Sequence, residues 1–237
     1  MNSHAILVLQ HIGCEPPAAY GDELLERGFS MHQVRLDEGE RLPDWRAYDG
    51  IVAMGGPMGA YDEAIHPWLA AEKQMIAEAV ADDTPFWGVC LGAQLLAASL
   101  GAAVAPGTLP EIGVLPVELT DDAAGDPVFC AARPTFAAFH WHGDTYELPR
   151  GAVQLARSEL YEQQAFVFRN AYALQFHLEV TPQLVAEWAG VPSYADGLHQ
   201  AGRGDAIDEL AEQVASAEAG SIALARELFG RWLERIS

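Results

Sequence analysis

Short apolar runs alternate with amphipathic segments through the first hundred residues. Ala5-Ile6-Leu7-Val8-Leu9 is an unbroken apolar run of strand length. Residues 21–27 place Leu24 and Leu25 on one face and end at Gly28, which predicts a helix with its stop signal. Residues 31–36 predict a second strand, and residues 49–54 a third that ends abruptly at Gly55-Gly56-Pro57. Residues 67–81 put Leu69, Met75, Ile76 and Val80 at helical positions. Residues 85–89 are a strand of the buried type that runs straight into Cys90. Residues 91–100 are helical, and Gly101 is a natural C-terminal cap. This alternation predicts βαβ units and a mostly parallel sheet. Such sheets carry their sites at the carboxyl ends of strands.

The pattern then changes. Residues 112–119, 135–139, 153–156, 165–168 and 172–176 read as strands joined by short turns, with Asn170 in the last turn. Thr181-Pro182 is a helix start, a capping residue followed by proline at the first helical position, and that helix runs to Ala189. A stretch containing Gly and Pro follows, then a helix over 205–217 and a final helix to Arg235. In the final helix Leu224, Leu228, Trp232 and Leu233 form one apolar face, as a docked amphipathic helix would. The predicted fold is α/β and three-layered: a mostly parallel central sheet, flanking helices, appended antiparallel strands and C-terminal helices. Residues 1–190 are expected to form one domain, and residues 191–237 a helical extension packed on it.

Composition narrows the function. Half of the 237 residues are hydrophobic, a normal globular fraction, so the net charge of −21 does not signal disorder. That charge comes from 34 Asp plus Glu against 13 Lys plus Arg, with Lys73 as the only lysine. It argues against nucleic-acid binding, which wants a basic footprint, and against anionic membranes. No run approaches the roughly 18 apolar residues of a membrane span. The first ten residues lack the basic start of a signal peptide. Cys14, Cys90 and Cys130 are too few and too scattered for a disulfide framework, which leads us to expect a reducing, cytoplasmic location.

Gly88-Val89-Cys90-Leu91-Gly92 has the form of a nucleophile elbow, with Cys in the nucleophile position. A nucleophile at a helix N-terminus gains from the helix dipole, which favours a thiolate. The Leu91 N–H, at the helix start, is free to donate to an oxyanion. Two constellations compete. An α/β-hydrolase order would make Asp144 or a neighbour the acid and His177 the base. Alternatively, Cys90 pairs with His177 and Glu179 orients the ring. His177 and Glu179 stand two apart at a strand end, so both emerge on one face. That spacing, and the lack of an HGGG-type oxyanion loop, favour the second reading. His140 and His142 also alternate on one strand, but the sequence offers no obvious third ligand, so a hydrogen-bonded pocket wall is preferred to a metal site. Gly55-Gly56-Pro57-Met58-Gly59 lacks the spacing of a nucleotide-phosphate loop. Tyr61-Asp62-Glu63 reads as a solvated loop near the site mouth.

Taken together, these motifs resemble the class I, triad-type glutamine amidotransferase family, and in particular stand-alone members similar to the glutaminase domain of GMP synthetase. The resemblance runs from Ile6 to Trp188. It rests on Gly55-Gly56-Pro57 after a strand, Gly88-Val89-Cys90-Leu91-Gly92-Ala93-Gln94, Glu111-Ile112-Gly113 with Pro116-Val117-Glu118-Leu119-Thr120, Trp141-His142-Gly143-Asp144, and Gln175-Phe176-His177-Leu178-Glu179. It implies a catalytic triad of Cys90, His177 and Glu179, with oxyanion donors at Gly56 and Leu91. It implies that Gly55, Gln94, Trp141, His142 and Gly143 hold the glutamyl end of the substrate, and that no metal or other cofactor is used. The implied reaction is hydrolysis of the γ-amide of glutamine through a cysteine thioester, releasing glutamate and passing ammonia to a separate synthase subunit. A γ-glutamyl peptide hydrolase with the same triad, and a non-catalytic binding or regulatory homologue, remain alternatives. The family usually has Pro between the triad His and Glu, where this chain has Leu178.

Overall fold

The computed structural model describes residues 4–236. Among them, β1 (Ala5–Gln10), β2 (Ser30–Arg35), β3 (Gly50–Ala53), β4 (Phe86–Val89), β5 (Val104–Leu119), β6 (Thr135–Tyr146), β7 (Val153–Arg157), β8 (Ala165–Phe168) and β9 (Ala171–Leu174) form one sheet. Its order is β2-β1-β3-β4-β9-β8-β7-β5-β6. The pairs from β2 through β9 are parallel, and those from β9 through β6 antiparallel. The parallel half and its antiparallel annex thus share β9, a strand buried along its whole length. The carboxyl ends of β1, β3, β4 and β9 point to the same edge of the sheet, and the chain segments leaving them carry His11, Gly55-Gly56, Cys90 and Gln175.

Strand alternation sorts side chains to two faces. Ile6, Val8, Trp87 and Val89 face α1 (Ala18–Glu26) and the last helix, where Tyr20, Phe229 and Trp232 cluster around the Trp87 ring. Leu7, Leu9, Ile51 and Phe86 face α2 (Trp68–Ala81) and α3 (Leu91–Ser99). A third cluster covers β5 and β6. There Ile112, Phe139 and Trp141 meet α4 (Pro182–Ala189), α5 (Pro192–Gln200) and the start of α6 (Ile207–Leu233). The Thr181 side chain caps α4 as its sequence predicts, accepting from the Leu184 N–H at 3.4 Å.

Three regions differ from expectation. α5 lies in the stretch read as irregular because of its Pro and Gly. Pro192 opens the helix, where a missing N–H costs nothing, and Tyr194 and Leu198, four apart, bury one face. The two expected C-terminal helices are one, α6. Gly220, between the two expected helices, is an exposed position inside the single one. Its cost of about 1 kcal/mol is small beside the packing of the flanking turns. β5 and β6 are also longer than expected. They pair from Val104↔Tyr146 to Glu118↔Thr135, and Pro106, Gly107 and Pro110 are taken up in an irregularity between Pro106 and Glu111.

Candidate active site

Cys90 is the residue between β4 and α3, at φ 52° and ψ −105°. A non-glycine residue at positive φ is strained, and such strain collects at functional sites. The turn is pinned on both sides. The Cys90 N–H donates to the Leu174 carbonyl at 2.7 Å, and the Gly92 N–H to the Met54 carbonyl at 3.1 Å. Gly92 packs directly on the Ala53 backbone, and a Cβ on Gly88 would stand 2.6 Å from the Gly92 carbonyl oxygen. The glycines therefore let α3 start hard against β3 and β4.

His177 reaches this elbow from the segment after β9. Its backbone pairs with Phe139 of β6 in an antiparallel bridge. The ring packs edge-on to Trp188, with centroids 4.8 Å apart. Nδ1 meets Glu179 Oε1 at 2.7 Å. Nε2 has no hydrogen-bond partner of ordinary geometry among the described residues, and the ring contacts Cys90. Burial by itself would lower the His177 pKa, but the Glu179 carboxylate and the Cys90 sulfur outweigh it and hold the ring well above the ordinary value. Burial pushes the Cys90 thiol up, and His177 opposes that shift. One proton is thus contested between sulfur and Nε2. Leu178 is fully buried, and its N–H donates to Glu179 Oε2 at 3.0 Å. A proline there could not make this bond, so in this chain the departure supplies Glu179 with a donor.

A cavity of about 620 Å³ opens over Cys90. Gly56, Gln94, Trp141, His142 and Gly143 line it, together with Tyr61 and Asp62 from the expected mouth, and Asp144. A Cβ on Gly56 would stand 3.0 Å from Leu91 Cδ2, so the two expected oxyanion residues are neighbours. Leu91 is the first residue of α3 and its N–H has no acceptor within the helix. Gly55 does not line the cavity. It is packed behind, where a Cβ would run into the Glu15 carboxylate and stand 3.3 Å from His177 Cε1. Burial and the Asp144 carboxylate beside it push Tyr61 up to about 12.

Three residues at the site escaped the sequence reading. The Gln175 side chain donates to Cys90 Sγ at 3.6 Å and accepts from Gln94 Nε2 at 3.2 Å. Its signal was available, since Gln175, His177 and Glu179 share one face at the strand end. Glu15 is buried in the loop after β1 and accepts from the Tyr194 hydroxyl of α5. Burial pushes Glu15 up, against the opposing pull of His177 and Tyr194. Nothing in the local sequence marks Glu15 or Tyr194. Behind the cavity wall, Glu111 of β5 stands opposite His142 of β6. Burial would raise the Glu111 pKa, but contacts with His140, His142 and Ser158 hold the carboxyl well below the usual range.

Residues 19–186 match the family model for class I glutamine amidotransferases. The glutamine amidotransferase-like protein YfeJ of Salmonella typhimurium is 32% identical over 180 residues, covering 74% of this chain and 75% of that protein. A γ-glutamyl-L-1-hydroxyisopropylamide hydrolase of a Pseudomonas species is 29% identical over 184 residues, covering 72% of this chain and 61% of that one. The crystal structure of a glutamine amidotransferase from Thermotoga maritima superposes with a TM-score of 0.88 at 33% identity, covering 99% of this chain and all of the other.

Proposed function

This chain belongs to the class I glutamine amidotransferase family, and from that premise we propose that it hydrolyses the γ-amide of glutamine with Cys90 as nucleophile. The observation that carries the reading is Cys90, held at positive φ on a helix N-terminus under an open cavity, with His177 and Glu179 lined up behind it. In the proposed reaction the Cys90 sulfur attacks the γ-carbonyl carbon and its proton passes to His177 Nε2. Glu179 holds the ring by Nδ1 and stabilises the imidazolium. The N–H groups of Gly56 and Leu91 receive the developing oxyanion, a contact worth about 3–4 kcal/mol per donor where it has been removed elsewhere. His177 then protonates the leaving ammonia, and water releases glutamate from the thioester. Gln94 and the backbone near Trp141, His142 and Gly143 hold the glutamyl end, while Gly55 packs behind the site against Glu15 and His177. The ammonia passes to an acceptor enzyme on a separate chain.

The cavity favours a second reading. At about 620 Å³ it is large for a glutamine side chain alone. A γ-glutamyl amide with a bulkier amine would use the space near Tyr61, Asp62 and the segment from Pro106 to Pro110. The test is glutamate release from glutamine and from a panel of γ-glutamyl amides, with Cys90→Ala as control. Turnover of glutamine supports the first reading, and turnover confined to the substituted amides supports the second. In both cases Cys90→Ala should be inactive. Absence of all turnover in the wild type, with no Cys90-dependent labelling by a γ-glutamyl electrophile, would overturn both.

A further inference from the structure

The cluster behind the cavity wall has a set of side-chain donors that the proposed hydrolysis, which meets His142 at its backbone, does not use. Glu111, His140 and His142 are all buried, and one donor atom from each lies within 4.8 Å of the others. Cross-strand pairing brings them together. Glu111 faces His142 directly, and Gly113, which has no side chain to intrude, faces His140. His142 Nε2 stands 3.1 Å from Glu111 Oε2, and His140 Nδ1 stands 3.5 Å from the same oxygen. Two ligands bound to one zinc ion at about 2.1 Å each stand about 3.4 Å apart in a tetrahedral shell.

Proton bookkeeping makes the arrangement unusual. His142 Nδ1 contacts the Asp144 carbonyl oxygen at 3.0 Å, which can only accept, so Nδ1 carries the hydrogen. In the neutral ring Nε2 then presents a lone pair to a carboxylate oxygen. Something positive must lie between them. A proton on His142 would serve that one contact, but it would leave His140 only the longer 3.5 Å approach to the same oxygen. His140 is fully buried; its Nε2 has no hydrogen-bond partner among the described residues, and its Nδ1 has only the long approach to Glu111 Oε2. A metal ion would serve all three groups at once.

The outer contacts also have the form that metal sites use. The His142 N–H is anchored on a backbone carbonyl. Ser158 Oγ donates to Glu111 Oε1 at 2.6 Å, and Gln164 Nε2 donates to Oε2 at 2.6 Å. A second cavity, of about 610 Å³, reaches Glu111 and Ser158 and is also lined by Glu118, which pairs with Arg157, and by Glu159.

We propose that Glu111 Oε2, His140 Nδ1 and His142 Nε2 bind one divalent transition-metal ion. Two imidazoles and one carboxylate suit Zn²⁺ or Co²⁺ and not Mg²⁺ or Ca²⁺, which take oxygen ligands. The ion would tie β5 to the Trp141–Gly143 wall of the cavity. Its place is structural, and no step of the hydrolysis runs through it.

The test uses full-length Cys90→Ser protein, so that the thiol beside His177 cannot bind the probe. Metal-free protein is titrated with Co²⁺ and followed by visible absorption, then by Zn²⁺ competition against a chromophoric chelator. One equivalent is expected, with d–d bands of low-coordinate cobalt and no thiolate charge-transfer band. Adding His140→Asn should weaken binding at least about tenfold. Ser158→Ala keeps all three ligands and so tests the same site if the histidine variant does not fold; it should weaken binding about 10–100-fold. No uptake from excess Co²⁺ by the folded protein, or uptake unchanged by His140→Asn or Ser158→Ala, would overturn the proposal.

Discussion

His177 meets a carboxylate at Nδ1 and a thiol on its other side, with no water-facing surface between. Its pKa is therefore raised above the value of about 6.5 expected in the unfolded chain. The sign of the stability effect follows. A raised histidine contributes stability that is fully present below pH ~6.5 and is lost as pH rises through the folded-state value. Glu179 is the main source of the raise once burial is overcome. The stability gap between wild type and Glu179→Gln should thus be widest below pH ~6.5 and narrow as the pH climbs through the folded His177 value. At its widest it should reach about 3–5 kcal/mol, as for other buried pairs that lose one member. Urea unfolding of both proteins at about pH 6 and pH 9 measures the gap. A gap that stays constant or grows with pH would show that Glu179 does not hold the proton on His177. Leu178 adds a backbone donor to the same carboxylate. The loosening that a missing proline suggests is offset at this position by a hydrogen bond.

β3, β4 and α3 form the unit that fixes where Cys90 points, and at Gly92 the helix lies directly on the Ala53 backbone of β3. A Cβ at that position would press on the Ala53 backbone, which cannot rotate away as a side chain can. Gly92→Ala should cost about 1–3 kcal/mol or more in stability, the range for overpacking. It should also slow Cys90 alkylation, because relief comes only by moving α3 off the strand ends. Thermal melting with alkylation kinetics checks both, and an unchanged melt with unchanged kinetics would contradict the packing argument. The elements around this elbow were readable from sequence because each is local: an apolar run, a turn and a cap. Gln175 was readable on the same grounds, by its alternation with His177 and Glu179. Glu15 and Tyr194 were not, since their meeting joins a loop after β1 to α5, and no local pattern encodes that distance. α5 itself was hidden because a proline that starts a helix and one that breaks a helix look alike in one dimension. Glu111 shows the same limit. His140 and His142 share a strand and were visible as a pair, whereas their third neighbour arrives only through the β5–β6 register.

At the scale of the whole molecule, the charge of −21 and the cavity have to be considered together. The residues lining the cavity include Asp62 and Asp144 but, among the described residues, no lysine or arginine. Burial and the neighbouring Asp62 push Asp144 above its usual value, which is the mark of a carboxylate short of a cation. The protein's field and the local lining therefore act in the same direction. Both repel an anion approaching Cys90 and both favour a substrate bearing extra positive charge. On the proposed reaction, the glutamyl carboxylate would be held by short-range donors, backbone N–H groups and the Gln94 amide, since no lysine or arginine lines the cavity among the described residues. Beyond that end, charge should decide the rate. Of two γ-glutamyl amides of similar size, the one whose amine portion carries an ammonium group should show kcat/KM about tenfold or more above the one carrying a carboxylate, at low ionic strength. Added salt should shrink the ratio as the Debye length falls from about 30 Å at 0.01 M to about 8 Å at 0.15 M. Asp144→Asn should shrink it further at fixed salt, which separates the local contribution from the long-range one. A preference for the anionic amine, or a ratio indifferent to both salt and Asp144→Asn, would mean that the acidic surface serves solubility alone and plays no part in choosing the substrate.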